Sequence, residues 1–267
     1  YFKGVGSVGF YNVAVPIAML LAITPELFMQ LFFPMINRYY SNKNFELIKQ
    51  LSKQLGKWIF MVNFPIFILI FIFPGAAINL LFGSQYLIAL NALRILIFGS
   101  FIASIAVISS NILSMAGKSK LVLVDIIIAS ITNIILNIIL IPTPVIFGID
   151  NSLGLNGAAI ATALSMIFLN ALFFFQAKKY LGIMPLRKKM INIFLIGTLS
   201  ATVLFYLRSQ FPSQNILLML VLAGFFLLVY TILILLAKSF DENDMGIIKS
   251  VYNSVQNLKR NRKFKEA

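Results

Sequence analysis

The chain has no cysteine and no histidine in 267 residues, and only eight aspartates and glutamates against 22 lysines and arginines. Without cysteine there is no disulfide framework, and the redox compartment leaves no trace in the sequence. Without either residue the usual thiolate and imidazole ligands are missing, which argues against a transition-metal centre. Carboxylates are scarce where chemistry would need them, and Gly182, Gly197 and Gly224 stand singly, with no Lys-Ser or Lys-Thr after them to cradle a nucleotide. What fills the chain instead is apolar: 60% of residues are hydrophobic and 11% charged, against about 25% charged in soluble domains. The composition is that of an all-α, polytopic transmembrane helix bundle.

Apolar runs of roughly the 20 residues that a crossing needs fall at 10–36, 56–82, 87–116, 120–142, 155–177, 190–207 and 214–237. That predicts seven spans. The connections alternate in charge. One set carries Arg38, Lys43, Lys49, Lys53 and Lys57, then Lys118 and Lys120, then Lys178, Lys179, Arg187, Lys188 and Lys189, and finally Lys238 and the tail; the other carries only Lys3 and Arg208. Lysine and arginine are retained on the cytoplasmic side, so the carboxyl terminus is expected in the cytoplasm and the amino end outside. The formal charge of +14 therefore reflects topology, not affinity for nucleic acid. A chain that begins at Tyr1, with neither initiator methionine nor signal peptide, yet starts outside, is expected to be a fragment lacking an odd number of upstream helices.

Three stretches carry a family signature. They are Val8-Gly9-Phe10-Tyr11-Asn12-Val13-Ala14; then Leu81-Phe82-Gly83-Ser84-Gln85-Tyr86 through Leu93-Arg94-Ile95-Leu96 to Ala116-Gly117-Lys118; then Asn133, Asn137, Leu140-Ile141-Pro142, Gly154 and Gly157-Ala158-Ala159-Ile160-Ala161-Thr162. In that order, from Gly9 to Tyr180, they resemble the C-terminal lobe of the Wzx-type polysaccharide flippases, relatives of the multidrug and toxic compound extrusion transporters. The resemblance implies a two-lobe exporter that rocks about a central cavity. It implies residues 1–178 as the C-terminal lobe lacking its first helix; the two apolar runs beyond make 179–237 two additional helices, and Ile247, Ile248, Val251, Val255 and Leu258 at helical spacing ahead of Lys259, Arg260, Arg262, Lys263 and Lys265 make 238–267 a cytoplasmic tail, either an amphipathic interfacial helix with a basic end or a frayed, purely topogenic segment. The resemblance also implies about seven missing helices, with that N-terminal lobe, membrane lipids and a lipid-linked oligosaccharide as partners.

Several residues inside the spans invite a role. Glu26 falls near the bilayer midplane, where an ionisable group costs at least a few kcal/mol and faces a cavity or a partner. Two readings stand: an ion-coupling or sugar-contacting carboxylate facing the interior of the lobe, or a carboxylate paired with a cation of the missing half. Arg94 either aims its planar fork at a diphosphate or anchors at the outer interface by snorkelling. Asp125, near Lys118 and Lys120, reads as a surface ion pair or a snorkelling acid. Asn133 and Asn137, one turn apart, either bond sugar hydroxyls or join helices. Pro25, Pro65 and Pro74 each free a backbone carbonyl and are hinge candidates, whereas Pro16 and Pro34 interrupt the first span. Gly154, Gly157, Ala158 and Ala161 form small-residue edges for helix packing.

The reading that follows is outward transport of an isoprenoid-diphosphate-linked oligosaccharide during cell-surface polysaccharide biosynthesis, in the cytoplasmic (inner) membrane. No cofactor is called for; a proton or Na+ gradient, or consumption of product outside, supplies the energy. The alternative is a cation-coupled multidrug exporter of the same fold. A seven-helix receptor shares only the helix count and orientation. A membrane glycosyltransferase or polymerase would need catalytic carboxylates or histidines, and the outer loops offer only Asp150. No enzyme is expected.

Overall fold

A computed structural model describes residues 5–210 and 216–237; the tail expected at 238–267 lies outside the described residues. Within lipid every peptide group must be satisfied inside the segment, which selects helices. α1 (Val5–Ser41) runs unbroken through Pro16, Pro25 and Pro34. α2 (Phe45–Ile72) opens on Asn44, whose side chain accepts from the Leu47 N–H at 3.2 Å. The run expected at 56–82 divides here, because Pro74 cannot continue a hydrogen-bond ladder and instead occupies the first turn of α3 (Pro74–Phe82). A 3-10 turn at Ser84–Ala89 leads into α4 (Leu90–Leu113), and a π turn at Ser114–Lys118 leads into α5 (Ser119–Leu140). A small antiparallel hairpin, β1 (Val145–Ile146) and β2 (Ile149–Asp150), precedes α6 (Leu155–Leu181), α7 (Lys189–Gln210) and α8 (Ile216–Leu236).

Among the described residues six continuous helical stretches have the length and apolarity to cross a membrane, and the longest, Ser84–Leu140, has 57 residues. Straight, it would reach about 85 Å, nearly three hydrocarbon thicknesses. It turns back at Gly117, which adopts φ 74°, a left-handed conformation open to glycine. The neighbours of α6 prove the reversal. Leu113 at the end of α4 packs with Phe173 and Ala177 late in α6. On α5 the order inverts, since Asp125 bonds Gln176 while Leu140 lies against Gly157. α4 and α6 are therefore parallel and α5 antiparallel to both, which restores seven crossing segments. The same alternation gathers Arg38, Lys43, Lys118, Lys120, Lys178, Lys179, Lys188 and Lys189 at one end of the bundle. Lys57 departs from its expected place in that basic set: it is wholly buried within α2.

α2 is the axle. Ile48, Leu51, Leu55, Ile59, Phe60, Phe64, Phe67 and Ile68 are buried along it, and its interior positions meet α1, α4, α7 and α8. Phe60, Phe64 and Phe67 pack against Phe101 of α4 with ring centroids 4.7–5.6 Å apart, Phe67 stacked on it, Phe64 edge-on and Phe60 tilted. Lipid tails are as apolar as these side chains, so close van der Waals fit, not exclusion of water, holds such contacts together.

Glycines mark where helices come closest. A Cβ on Gly197 of α7 would strike the Phe64 ring, one on Gly56 would strike the backbone of Pro185 in the α6–α7 connection, and one on Gly99 of α4 would sit 2.9 Å from Ala163 of α6. Of the small residues singled out on α6, Gly157 makes such an approach, to the Leu140 carbonyl. Ala161 is fully buried and Ala158 partly so. Gly154, also buried, adopts a φ of 74° in the turn that starts α6.

Candidate functional site

Pro25 cannot donate to the carbonyl of Leu21, so that oxygen is released from the ladder of α1. Asn63 of α2 takes it, donating from Nδ2 at 2.8 Å. Pro25 is buried against that neighbour, and the next residue, about 100° further round the helix, points the other way. Glu26 is thus exposed and does not face the interior of the bundle as expected. It lies in a groove of about 580 Å³ between α1 and α4, lined by Ala22, Glu26, Met29, Gln30, Phe33, Pro34, Val107 and Asn111.

The spacing explains the lining. Ala22, Glu26, Met29 and Phe33 recur every three or four residues and so share one face of α1, with Gln30 beside them. Val107 and Asn111, four apart, are the matching face of α4. Pro34 releases a second carbonyl, that of Gln30, at the same groove. A carboxylate, two primary amides and a freed carbonyl thus stand on walls made by Met29, Phe33 and Val107. Such a surface offers donors and acceptors to hydroxyls together with apolar contact for a ring or chain. Glu26 makes no ion pair among the described residues.

The other predicted residues do not join this groove. Arg94 lies outside that groove: its Nε donates to the Phe71 carbonyl at 3.2 Å. Arg208 donates to the next carbonyl, Ile72, and lies over the Phe73 ring. Two cations therefore cap the last carbonyls of α2, where the helix dipole is negative. Asn133 and Asn137 bond each other, Nδ2 of Asn137 to Oδ1 of Asn133 at 2.9 Å, so the pair closes on itself instead of linking helices. Pro65 releases the Met61 carbonyl, which the Tyr230 hydroxyl of α8 occupies at 2.9 Å. The carbonyls freed by Pro25 and Pro65 are thus tied to neighbouring helices, and Pro74 marks a helix start. Asp125, expected at the surface, is buried.

Sequence reasoning passed over Asn151. Its Nδ2 donates to the carbonyls of Leu140 at 2.9 Å and Thr143 at 2.7 Å, and its Oδ1 accepts from the Gly157 N–H at 2.8 Å. One buried amide so stitches the end of α5 to the start of α6. The signal was present in part, since a lone amide between a Pro-rich loop and a glycine at a helix start is a turn and capping residue. Tyr11 was passed over too; its hydroxyl shares a hydrogen bond of 2.9 Å with Thr162, joining α1 to α6.

Comparison with known proteins is consistent with this architecture. The MatE family model matches residues 1–139. An uncharacterized membrane protein of Methanocaldococcus jannaschii is 28% identical over 84% of this chain and 42% of its own length. A putative O-antigen transporter of Shigella flexneri is 28% identical over 44% of this chain and 28% of its own. The probable low-salt glycan biosynthesis flippase Agl15 of Haloferax volcanii is 25% identical over 88% of this chain and 48% of its own. The chain spans less than half the length of each of these relatives. No solved structure matches it.

Proposed function

Because the chain belongs to the MatE family, we propose that it forms one lobe of a flippase carrying an isoprenoid-diphosphate-linked oligosaccharide across the cytoplasmic (inner) membrane. The chain is a membrane transporter, not an enzyme. The groove between α1 and α4 carries the reading: it is a lipid-depth surface lined by Glu26, Gln30 and Asn111. Polar groups facing the membrane interior are costly unless they serve a partner. Hydroxyls of a sugar chain are such a partner, because each loses water on entering the membrane and must be offered a replacement. The groove faces the rest of the transporter, a second lobe on the N-terminal side, and the two lobes open the cleft between them to one side at a time. Proton or sodium coupling drives the cycle, and the basic end of the bundle lies in the cytoplasm.

The relatives named for O-antigen transport and glycan biosynthesis support the substrate class. Met29 and Phe33 in the same groove favour a second reading, export of small amphipathic cations, since drug sites are largely apolar and aromatic. Deleting the gene separates the two. Loss of surface polysaccharide, with the lipid-linked precursor accumulating inside, is the expected result; intact polysaccharide with heightened sensitivity to cationic drugs rejects the flippase in favour of the exporter.

A further inference from the structure

Asp125 sits on the flank of α5 that faces α6, and it is 3% exposed although Val124 and Ile126 on either side look outward. The Gln176 Nε2 donates to its Oδ1 at 2.9 Å. The remaining oxygens of both side chains, Asp125 Oδ2 and Gln176 Oε1, are buried with no hydrogen-bond partner among the described residues. Leu113, Phe173 and Ala177, with Val122 and Leu169 against them, form the adjacent cluster, and none of these side chains has a donor. Two acceptors are therefore held in an apolar setting with nothing between them to bind.

The charged groups around the pair do not fill that gap. On α5 and the turn before it, Lys118 and Lys120 are exposed, and Lys118 lies 5.0 Å from the Tyr180 ring. On α6, Lys178, Lys179 and Tyr180 are exposed, and Lys179 lies 5.6 Å from the same ring. The last turns of α4 carry no titratable residue. Among the described residues no ion pair reaches Asp125.

We propose that Asp125 and Gln176 form a binding site for one monovalent cation, a proton or a sodium ion. A proton on Oδ2 donates to Oε1 while Nε2 donates to Oδ1, the two-point ring that a carboxylic acid makes with a primary amide, and every polar atom of the pair is then satisfied. A sodium ion takes the same two oxygens as hard ligands, as carbonyls do in transporters. A proton completes the pair outright, whereas a sodium ion also needs water or backbone oxygens to fill its shell. The site is separate from the groove at Glu26, since α5 contributes nothing to that lining. Its position suits a coupling role. Asn151 pins α5 to α6 at one end, and Asp125–Gln176 joins them near the basic end, so loading or unloading a charge acts on the end of the pair that is not pinned. That coupling role rests on the flippase reading; the site itself does not.

The test is thermal unfolding of the full-length protein in lipid nanodiscs. One series lowers the pH in choline chloride, and the other replaces choline by sodium at constant pH. With the cation at a hundredfold excess over its Kd, the wild-type melting temperature is expected to rise by roughly 5 °C. Asp125→Asn carries its own donor to Gln176 and no charge, so it is expected to stay folded and to lose that response. Response to pH alone identifies a proton, and response to sodium at constant pH identifies the metal ion; indistinguishable wild-type and Asp125→Asn curves in both series overturn the site. Should Asp125→Asn not fold, Gln176→Met replaces it, and an unmoved midpoint of the wild-type response overturns the site as well. None of these readouts involves transport, so the gene deletion can fail without them and they can fail without it.

Discussion

Asn151 and Glu26 show at the scale of single residues why burial separates structure from function here. Asn151 is 1% exposed and all three of its side-chain bonds run to backbone groups. Truncation to alanine leaves the part-buried carbonyls of Leu140 and Thr143 and the buried Gly157 N–H without that partner, and an unmet buried group costs about 1–3 kcal/mol. Asn151→Ala is therefore expected to destabilise the protein by about 2–4 kcal/mol, read as a lowered denaturation midpoint in detergent. Gly157→Ala pushes a methyl into the Leu140 carbonyl and should cost about 1–3 kcal/mol by overpacking. Glu26 is the converse case. It is exposed, so Glu26→Gln should leave protein level and melting unchanged while most surface glycan is lost; normal glycan in that variant would remove Glu26 from the transport cycle.

Among the elements, the prolines show how a helix break becomes a joint between helices. Pro65 frees the Met61 carbonyl and Tyr230 occupies it, so the two changes are coupled. Tyr230→Phe should cost about 1–2 kcal/mol alone and nearly nothing in a Pro65→Ala background, where the new N–H reclaims the carbonyl; a double-mutant cycle measures the difference. Additive costs would show that the hydroxyl does not serve that carbonyl. The seven apolar runs and the small approach face at Gly157 were legible because lipid imposes long uninterrupted hydrophobicity and close packing. The partners of Pro25 and Pro65 were not, since they lie 42 and 169 residues away from the carbonyls they satisfy and carry no periodic signal. Glu26 was legible as a costly charge, but its outward direction depends on which face α2 occupies. Asp125 was misjudged because sequence distance from Lys118 says nothing about which flank of α5 packs against α6.

For the molecule as a whole, the alternation of basic and neutral ends makes orientation testable, and the cysteine-free chain is a ready background. Single cysteines at Ser41 and Ser119 should react only from the cytoplasm, and those at Ser84 and Ser152 only from outside; Ser84 and Ser119 labelling from one side would refute the assigned topology. The same global view gives α2 a history as well as a place. The Met61 carbonyl is made 169 residues before the hydroxyl that satisfies it, which at about 5–20 residues per second is roughly 8–35 s of translation. Through that interval the proline-bearing middle of α2 enters the bilayer with a bare acceptor, and Phe64 lacks the Gly197 face that closes over it. Chains halted before α8 should therefore bind membrane quality-control proteases in proportion to that delay, and Pro65→Ala, which needs no distant hydroxyl, should outlive the wild-type sequence in the same truncated chains.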